Sequence, residues 1–473
     1  QFRRRLAAHV GVVPWCCAPE NGGVDFDGFA DLLELYARSV PLAERAVVCS
    51  RTRHRWQDLD LIEVFRRIAV VGGVEATQEA RDFVTEDKVH GRNGKLTLDE
   101  LVQALTILRE EEDKGWVLKF QTRAEMHAAG YEACWFHPVL LADKKKDGSQ
   151  KLKATLDLVT GVVRDGVHAP LMPVSRWCDN GSKESRKEAE DSLNDFSPMS
   201  AGGLHSSLDD VPYDAELCMA LMSDDGRFRG DERRRIEGST VDIKSAYRNV
   251  PIAACDRRLH CFRFLDPDRP IPQYVLDGGQ PRDEDCVFFV KTVMPFGWRL
   301  SVDYWVRLSK ALKALHLWDE CPPLANRVPR GPDGERLHDA GVYVDDTGVF
   351  AVEGFGQLAQ DRFLELCALL RIPVSEAKLA AEGAVGTELA MLGVIFDFVN
   401  EELRLSPERL ATVKRRVAEM RDKSYCSREE YDSLVGVLSF CASCVPGGRT
   451  FMHSLYKAQW SGTARQRKRR GSG

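Results

Sequence analysis

The sequence predicts an α+β protein in which an antiparallel sheet is backed by helices, and three observations carry that prediction. Residues 236–400 alternate short apolar strands with helical patterns. Within them, Asp345 and Asp346 interrupt an apolar run so briefly that a tight hairpin is the geometry that fits. After residue 400 come two well-signalled helices. A chain of 473 residues suggests roughly two to four domains. Its 44% hydrophobic and 29% charged residues exclude wholesale disorder and a fibrous chain. No apolar run reaches the roughly 18–20 residues of a membrane span, and Gln1-Phe2-Arg3-Arg4-Arg5 has no apolar core behind it, so neither a membrane anchor nor a secretory leader is expected. Fourteen cysteines without regular spacing fit reduced thiols, so an intracellular location is expected, nucleus or cytoplasm left open. The chain starts with Gln, as a fragment of a longer polyprotein would.

In chain order, residues 1–118 read as a helical N-terminal extension. Asn21-Gly22-Gly23 and Asn93-Gly94-Lys95 resemble the second half of an EF-hand loop. Glu100 stands at position twelve of the later loop, but Val89 and Gly91 occupy positions one and three, so the oxygen ligands that calcium wants are missing. Residues 119–235 begin as strands broken by a lysine-rich turn and continue as a polar insertion from 176. Residues 236–400 form the expected sheet, with an insertion at about 255–290 marked by Pro267, Pro270, Pro272 and Pro281.

In 401–460, Ser406 caps a helix with Pro407 at its first position and Leu410, Val413, Val417 and Met420 as its apolar stripe, expected to pack inward. Ser427-Arg428-Glu429-Glu430 is a capping box opening a second helix with Tyr431, Leu434, Val435 and Leu438 on one face. Cys441 and Cys444 have zinc-like spacing without a second pair, and read as core. Residues 461–473 form a basic tail. The formal charge is −6, but residues 403–428 are locally basic through Arg404, Arg409, Lys414, Arg415, Arg416, Arg421, Lys423 and Arg428. A basic face on an acidic whole is compatible with a polyanion held in one groove.

Three segments carry the chemistry. In Val241-Asp242-Ile243-Lys244-Ser245-Ala246-Tyr247 a strand delivers an acid at its end, with an aromatic five residues on. Tyr343-Val344-Asp345-Asp346 puts two acids at a hairpin tip, and Met294-Pro295-Phe296-Gly297-Trp298 is a turn before a helix with Val302, Trp305, Ser309 and Leu312 on one face. Adjacent carboxylates repel, and a divalent cation cancels that cost. A third acid from a neighbouring strand end completes an oxygen-rich, incomplete shell of the kind Mg²⁺ prefers. Two such ions about 4 Å apart activate a hydroxyl and stabilise leaving pyrophosphate.

These segments resemble motifs A, B and C of the palm of reverse transcriptases, most like DIRS-type or gypsy-like retroelement polymerases, over roughly residues 130–158 and 236–460. The resemblance implies a right-hand polymerase: fingers from 119–235 and 255–290, palm from 236–400, helical thumb from 401–460. It implies an RNA-directed DNA polymerase using Mg²⁺ or Mn²⁺, an RNA template, a DNA primer and dNTPs. Asp242, Asp345 and Asp346 would be catalytic metal ligands, with the Ile243 carbonyl a further ligand. Tyr247 would be the steric gate against a ribose 2′-OH, and Phe296 and Gly297 would line the nucleotide pocket. Lys145, Lys146 and Lys153 would contact phosphates in the fingers, Lys153 standing where the family usually has the bidentate Arg. Lys378 resembles the motif D lysine near the triphosphate, and Leu392 and Gly393 the primer grip, while Lys414, Arg415 and Arg421 would face the template–primer. Two other classes stay open: a catalytically silent nucleic-acid-binding remnant, and an RNA-templated RNA polymerase, against which the bulky Tyr247 argues.

Overall fold

The computed structural model describes residues 23–40, 58–89, 96–137 and 235–458 apart from 333, 335, 401, 424–425 and 445–447, together with the backbone of short strands between 139 and 179. The fold is α+β, as the sequence predicts. Helix α1 (Phe26–Ser39) starts on Asp25, whose carboxylate accepts the Gly28 amide at 2.9 Å. It packs on α2 (Asp58–Val71) through Phe26, Phe29 and Phe65. Arg66 of α2 reaches Asp31 and Glu34 of α1 at 2.8 and 2.7 Å. The chain then passes through α3 (Gln78–Phe83) to α4 (Leu98–Asp113). Glu100 closes a capping box there, its carboxylate taking the Thr97 amide at 2.7 Å and hydroxyl at 2.9 Å. The two glycine turns of the EF-hand-like stretches, 21–22 and 93–94, lie outside the described residues.

A mixed five-stranded sheet runs in the order Lys88–Val89, Trp135–Phe136, Cys261–Leu265, Cys286–Lys291, Val117–Phe120. The hairpin of its third and fourth strands encloses the proline- and glycine-rich stretch of residues 267–281. Three nested antiparallel ribbons, residues 139–143 with 175–179, 151–153 with 171–173, and 155–157 with 162–164, form the strands expected beyond residue 119.

The central sheet has three antiparallel strands: β1 (Ile236–Asp242), β2 (His338–Tyr343) and β3 (Asp346–Val352), in the order β1-β3-β2. Val349 and Ala351 of β3 belong to the core that also contains α5 (Arg299–His316) and α6 (Gly356–Leu369). Phe350 between them faces a second sheet, β4 (Glu388–Met391), β5 (Val394–Asp397) and β6 (Glu402–Leu405). Gly348 lets that sheet approach, because a Cβ there would sit 3.2 Å from both Leu389 and Met391. Before β4 lies the short helix α7 (Glu376–Glu382).

Residues 24–84 contribute Val24, Phe29, Leu33, Phe65, Val74 and Val84 to the same apolar core as Val241, Ile243, Trp305 and Phe363. Val74 donates its amide to Pro251 and accepts from Ala253, at 2.8 and 2.9 Å. Gly73 is required beside this bridge, since a Cβ would meet the Ile252 carbonyl carbon at 2.4 Å. Fully buried Asp256 receives the Arg81 fork at 2.7 and 2.6 Å and the Ala76 amide at 2.9 Å.

The C-terminal helices are α8 (Pro407–Arg421) and α9 (Arg428–Ser443), capped by Ser406 and Ser427 as expected. In α9 Leu434 and Val435 are buried. The expected inward stripe of α8 is corrected: only Val413 is buried, while Leu410 and Val417 are 39% and 40% exposed. Val413 packs into the core shared with β4–β6 and α9, and Met420 is half-buried. Cys441 and Cys444 are buried in the core formed with Phe440 and Met391, and burial raises the Cys441 thiol pKa. The described cysteines are free thiols. No helix among the described residues is long and apolar enough to cross a membrane.

Candidate active site

Register alone brings the three acids together. Asp242, the last residue of β1, stands opposite Asp346, the first residue of β3, and Tyr343 of β2 stands opposite Asp346 on the other side. Val344 and Asp345 are therefore a two-residue hairpin loop. The Ile243 amide donates to the Asp345 carbonyl at 3.4 Å, tying the end of β1 to that loop. All three acids are partly exposed.

The loop is strained. Val344 has φ +53°, a left-handed conformation costly for a β-branched residue. Its carbonyl accepts the indole N–H of Trp305 at 2.7 Å, from the almost fully buried second turn of α5. The sequence places Trp305 on an apolar helix face, and it does not announce this polar bond: an indole N–H carries no spacing signal. A second strained residue, Ser245 at φ +52°, begins the turn to the 3-10 segment Ala246–Asn249. The Asn249 side chain holds it, its Nδ2 donating to the carbonyls of Lys244, Ser245 and Ala246 at 2.8, 3.2 and 3.3 Å.

Tyr247 rises from that turn and meets Phe296 edge-on, ring centroids 5.0 Å apart. Phe296 and Gly297 belong to a turn pinned by the Ser301 hydroxyl, which donates to the Pro295 carbonyl at 2.6 Å, and Gly297 supplies φ +97°. Tyr247 and Phe296 are thus brought together, half-buried.

Lys378, on the first turn of α7, reaches Asp242, its ammonium 2.5 Å from Oδ1. The backbone enforces this placement: Ser375 donates to the Asp242 carbonyl at 2.9 Å and Lys244 to the Pro373 carbonyl at 2.9 Å. Burial pulls the Lys378 pKa down, but the bond to Asp242 and the fields of Asp242, Asp346 and Asp345 outweigh it and hold the pKa above the ordinary lysine value. The Tyr343 phenol is pushed up by burial and by the fields of Asp346 and Asp345.

Three carboxylates at adjacent backbone positions are hard oxygen donors of the kind Mg²⁺ takes. Their side chains are not drawn into a closed cage: among the described residues no three metal-ligating side chains converge, and Asp242 holds a lysine.

The other expected contacts divide by place. Lys145 and Lys146 lie outside the described residues, and for Lys153 only the backbone, on the strand 151–153, is described. Leu392 and Gly393, at φ +54° and +78°, are the two-residue turn between β4 and β5, and the Gly393 carbonyl accepts the Ser406 amide at 2.9 Å, fixing where α8 begins. Lys414, Arg415 and Arg421 are exposed on α8, and Arg415 and Arg421 are paired with Glu419 and Asp422.

No protein-family model matches the chain, and no curated protein does. Among solved structures it is similar to a foamy viral protease–reverse transcriptase in complex with an RNA/DNA hybrid, at 12% identity and a TM-score of 0.44, over 91% of this chain. The chain spans 42% of that protein's length.

Proposed function

We propose that the chain is an RNA-directed DNA polymerase, a reverse transcriptase of a retroelement, with β1–β3 as its palm, the five-stranded sheet and ribbons as fingers and α8–α9 as thumb. The observation that carries the proposal is the register that seats Asp242 opposite Asp346, with Asp345 between the strands. In the reaction a primer 3′-oxygen bonds to the α-phosphorus of a dNTP, its proton is lost to solvent, and the bond to pyrophosphate breaks. Asp242, Asp345 and Asp346 would hold Mg²⁺ or Mn²⁺. When bound, these ions supply charge neutralisation at the attacking and leaving oxygens.

The remaining work belongs to the chain. The Phe296–Tyr247 corner forms a rigid wall beside the acids, and Tyr247 fills the space of a ribose 2′-OH. Lys378, released from Asp242, would turn its ammonium to the triphosphate and give a proton to the leaving pyrophosphate. Positioning and preorganised charge supply the rate.

A silent nucleic-acid-binding remnant is the second reading, favoured by one observation: the Lys378 ammonium already neutralises Asp242. Primer extension on an oligo(dT)-primed RNA template separates the two. Incorporation of dNTPs that disappears in Asp345→Asn is the expected result. Folded protein that binds the duplex and extends nothing would establish the remnant, and incorporation of NTPs alone would make it an RNA polymerase.

A further inference from the structure

Beside the proposed gate lies a buried charge cluster. Glu111, in the last turn of α4, accepts the Arg248 guanidinium at 2.5 Å through Oε1, and its Oε2 lies 3.6 Å from the Lys291 ammonium. Glu111, Arg248 and Lys291 are 5%, 4% and 0% exposed. One carboxylate thus separates two buried cations. Arg248 follows Tyr247 in the chain. Its guanidinium covers the Phe296 ring at 5.7 Å and donates to the Met294 carbonyl at 3.4 Å. One side chain thereby clamps the turn that carries Tyr247 to the turn that carries Phe296.

We propose that Glu111 is a positioning residue for sugar selection: by holding Arg248 over Phe296 it fixes the edge-on Tyr247–Phe296 contact, and so the depth of the nucleotide pocket at the 2′ position. The inference rests on the reading of Tyr247 as the gate. It gives residues 98–113, remote in sequence from the acids, a part in substrate choice. Without the carboxylate, Arg248 and Lys291 face each other as buried like charges, Arg248 moves off the ring, and the wall that excludes a ribonucleotide loosens.

The test compares kcat and KM for one dNTP and the matching NTP in the full chain, in Glu111→Gln, in Glu111→Asp and in Tyr247→Ala, with thermal melts of each. Glu111→Gln is expected to cut the deoxyribonucleotide preference about tenfold, through a lower KM for the NTP, while kcat for the dNTP changes less than about threefold. Glu111→Asp keeps the carboxylate and restores most of the preference. A folded Glu111→Gln with wild-type preference, beside a Tyr247→Ala that has lost it, overturns the proposal. Unchanged preference in Tyr247→Ala removes the gate and this inference with it, and a wild-type chain that incorporates neither nucleotide removes the polymerase reading as well. If Glu111→Gln does not fold, Arg248→Lys decides: it keeps the charge but loses the planar cover, and undiminished preference there is equally fatal.

Discussion

Val344 carries backbone strain at the tip of the acid-bearing hairpin. A β-branched residue at φ +53° costs about 1–3 kcal/mol, and the Trp305 indole bond to its carbonyl offsets part of that. Trp305→Phe keeps the ring but removes the donor. It is expected to lower stability by about 1–2 kcal/mol and extension activity about tenfold, read by thermal melts and single-nucleotide incorporation. A variant indistinguishable in both would mean the loop holds its shape without the indole. Lys378 offers a second test at this scale. Its raised pKa keeps the ammonium charged below and through neutral pH, and the pairing weakens only as pH rises through that raised value. Lys378→Met removes the cation that shares Asp242. Mn²⁺ followed by its electron paramagnetic resonance signal is expected to bind the variant more tightly than the wild type, although extension slows about tenfold or more. Equal Mn²⁺ affinity would show that the lysine and the ion do not compete.

Among the elements, α5 ends under unusual constraint. Fully buried Arg362 of α6 donates to the carbonyls of His316 at 2.9 Å, Asn326 at 2.7 Å and Trp318, collecting the open end of α5 and the loop after it. A guanidinium suits a helix C-terminus because the carbonyl dipoles point toward it. His338 of β2 lies against the same end, Nε2 at 3.2 Å from the His316 carbonyl. Burial, outweighing that bond, pushes its pKa down to about 4. A histidine depressed in the folded state is neutral there while the unfolded chain takes a proton below about 6.5. This histidine's contribution to stability is therefore fully present above about pH 6.5 and is lost progressively as pH falls toward 4. Thermal melts across that range are expected to show a shallower loss in His338→Gln than in the wild type, and parallel curves would contradict this. Helix α8 teaches the opposite lesson: the 3.6-residue period identifies which positions are apolar, but not whether a neighbour covers them. Leu410 and Val417 stay partly on the surface, while Val413 alone of the stripe is buried.

At the scale of the molecule, the helices of residues 24–84 share their core with the strand bearing Asp242 and the helix bearing Trp305. Tyr36 meets Trp318 edge-on at 5.7 Å, and the Asp25 amide donates to the Leu370 carbonyl at 3.0 Å. Removing residues 1–118 would strip Phe29, Phe65 and Leu33 from that core, and take Glu111 from Arg248 and Lys291 and Arg81 from Asp256. The remainder, residues 119–473, is expected to lose cooperative unfolding, as seen in calorimetry or urea titration. A truncated chain with a sharp transition would show that those helices are an accessory layer.

The hairpin with its acids, the strand ending at Asp242, the turn before α5 and both capped C-terminal helices were legible in the sequence, because each rests on local rules of period, turn length and capping within a few residues. Tertiary structure decided what those rules cannot reach: that Lys378 spends itself on Asp242, that Trp305 restrains Val344, and that Glu111 reaches Arg248 from 137 residues away. Such pairings are settled by which elements pack together. A buried charge or an indole N–H takes whatever complementary group the packing presents, and nothing in the local sequence names it.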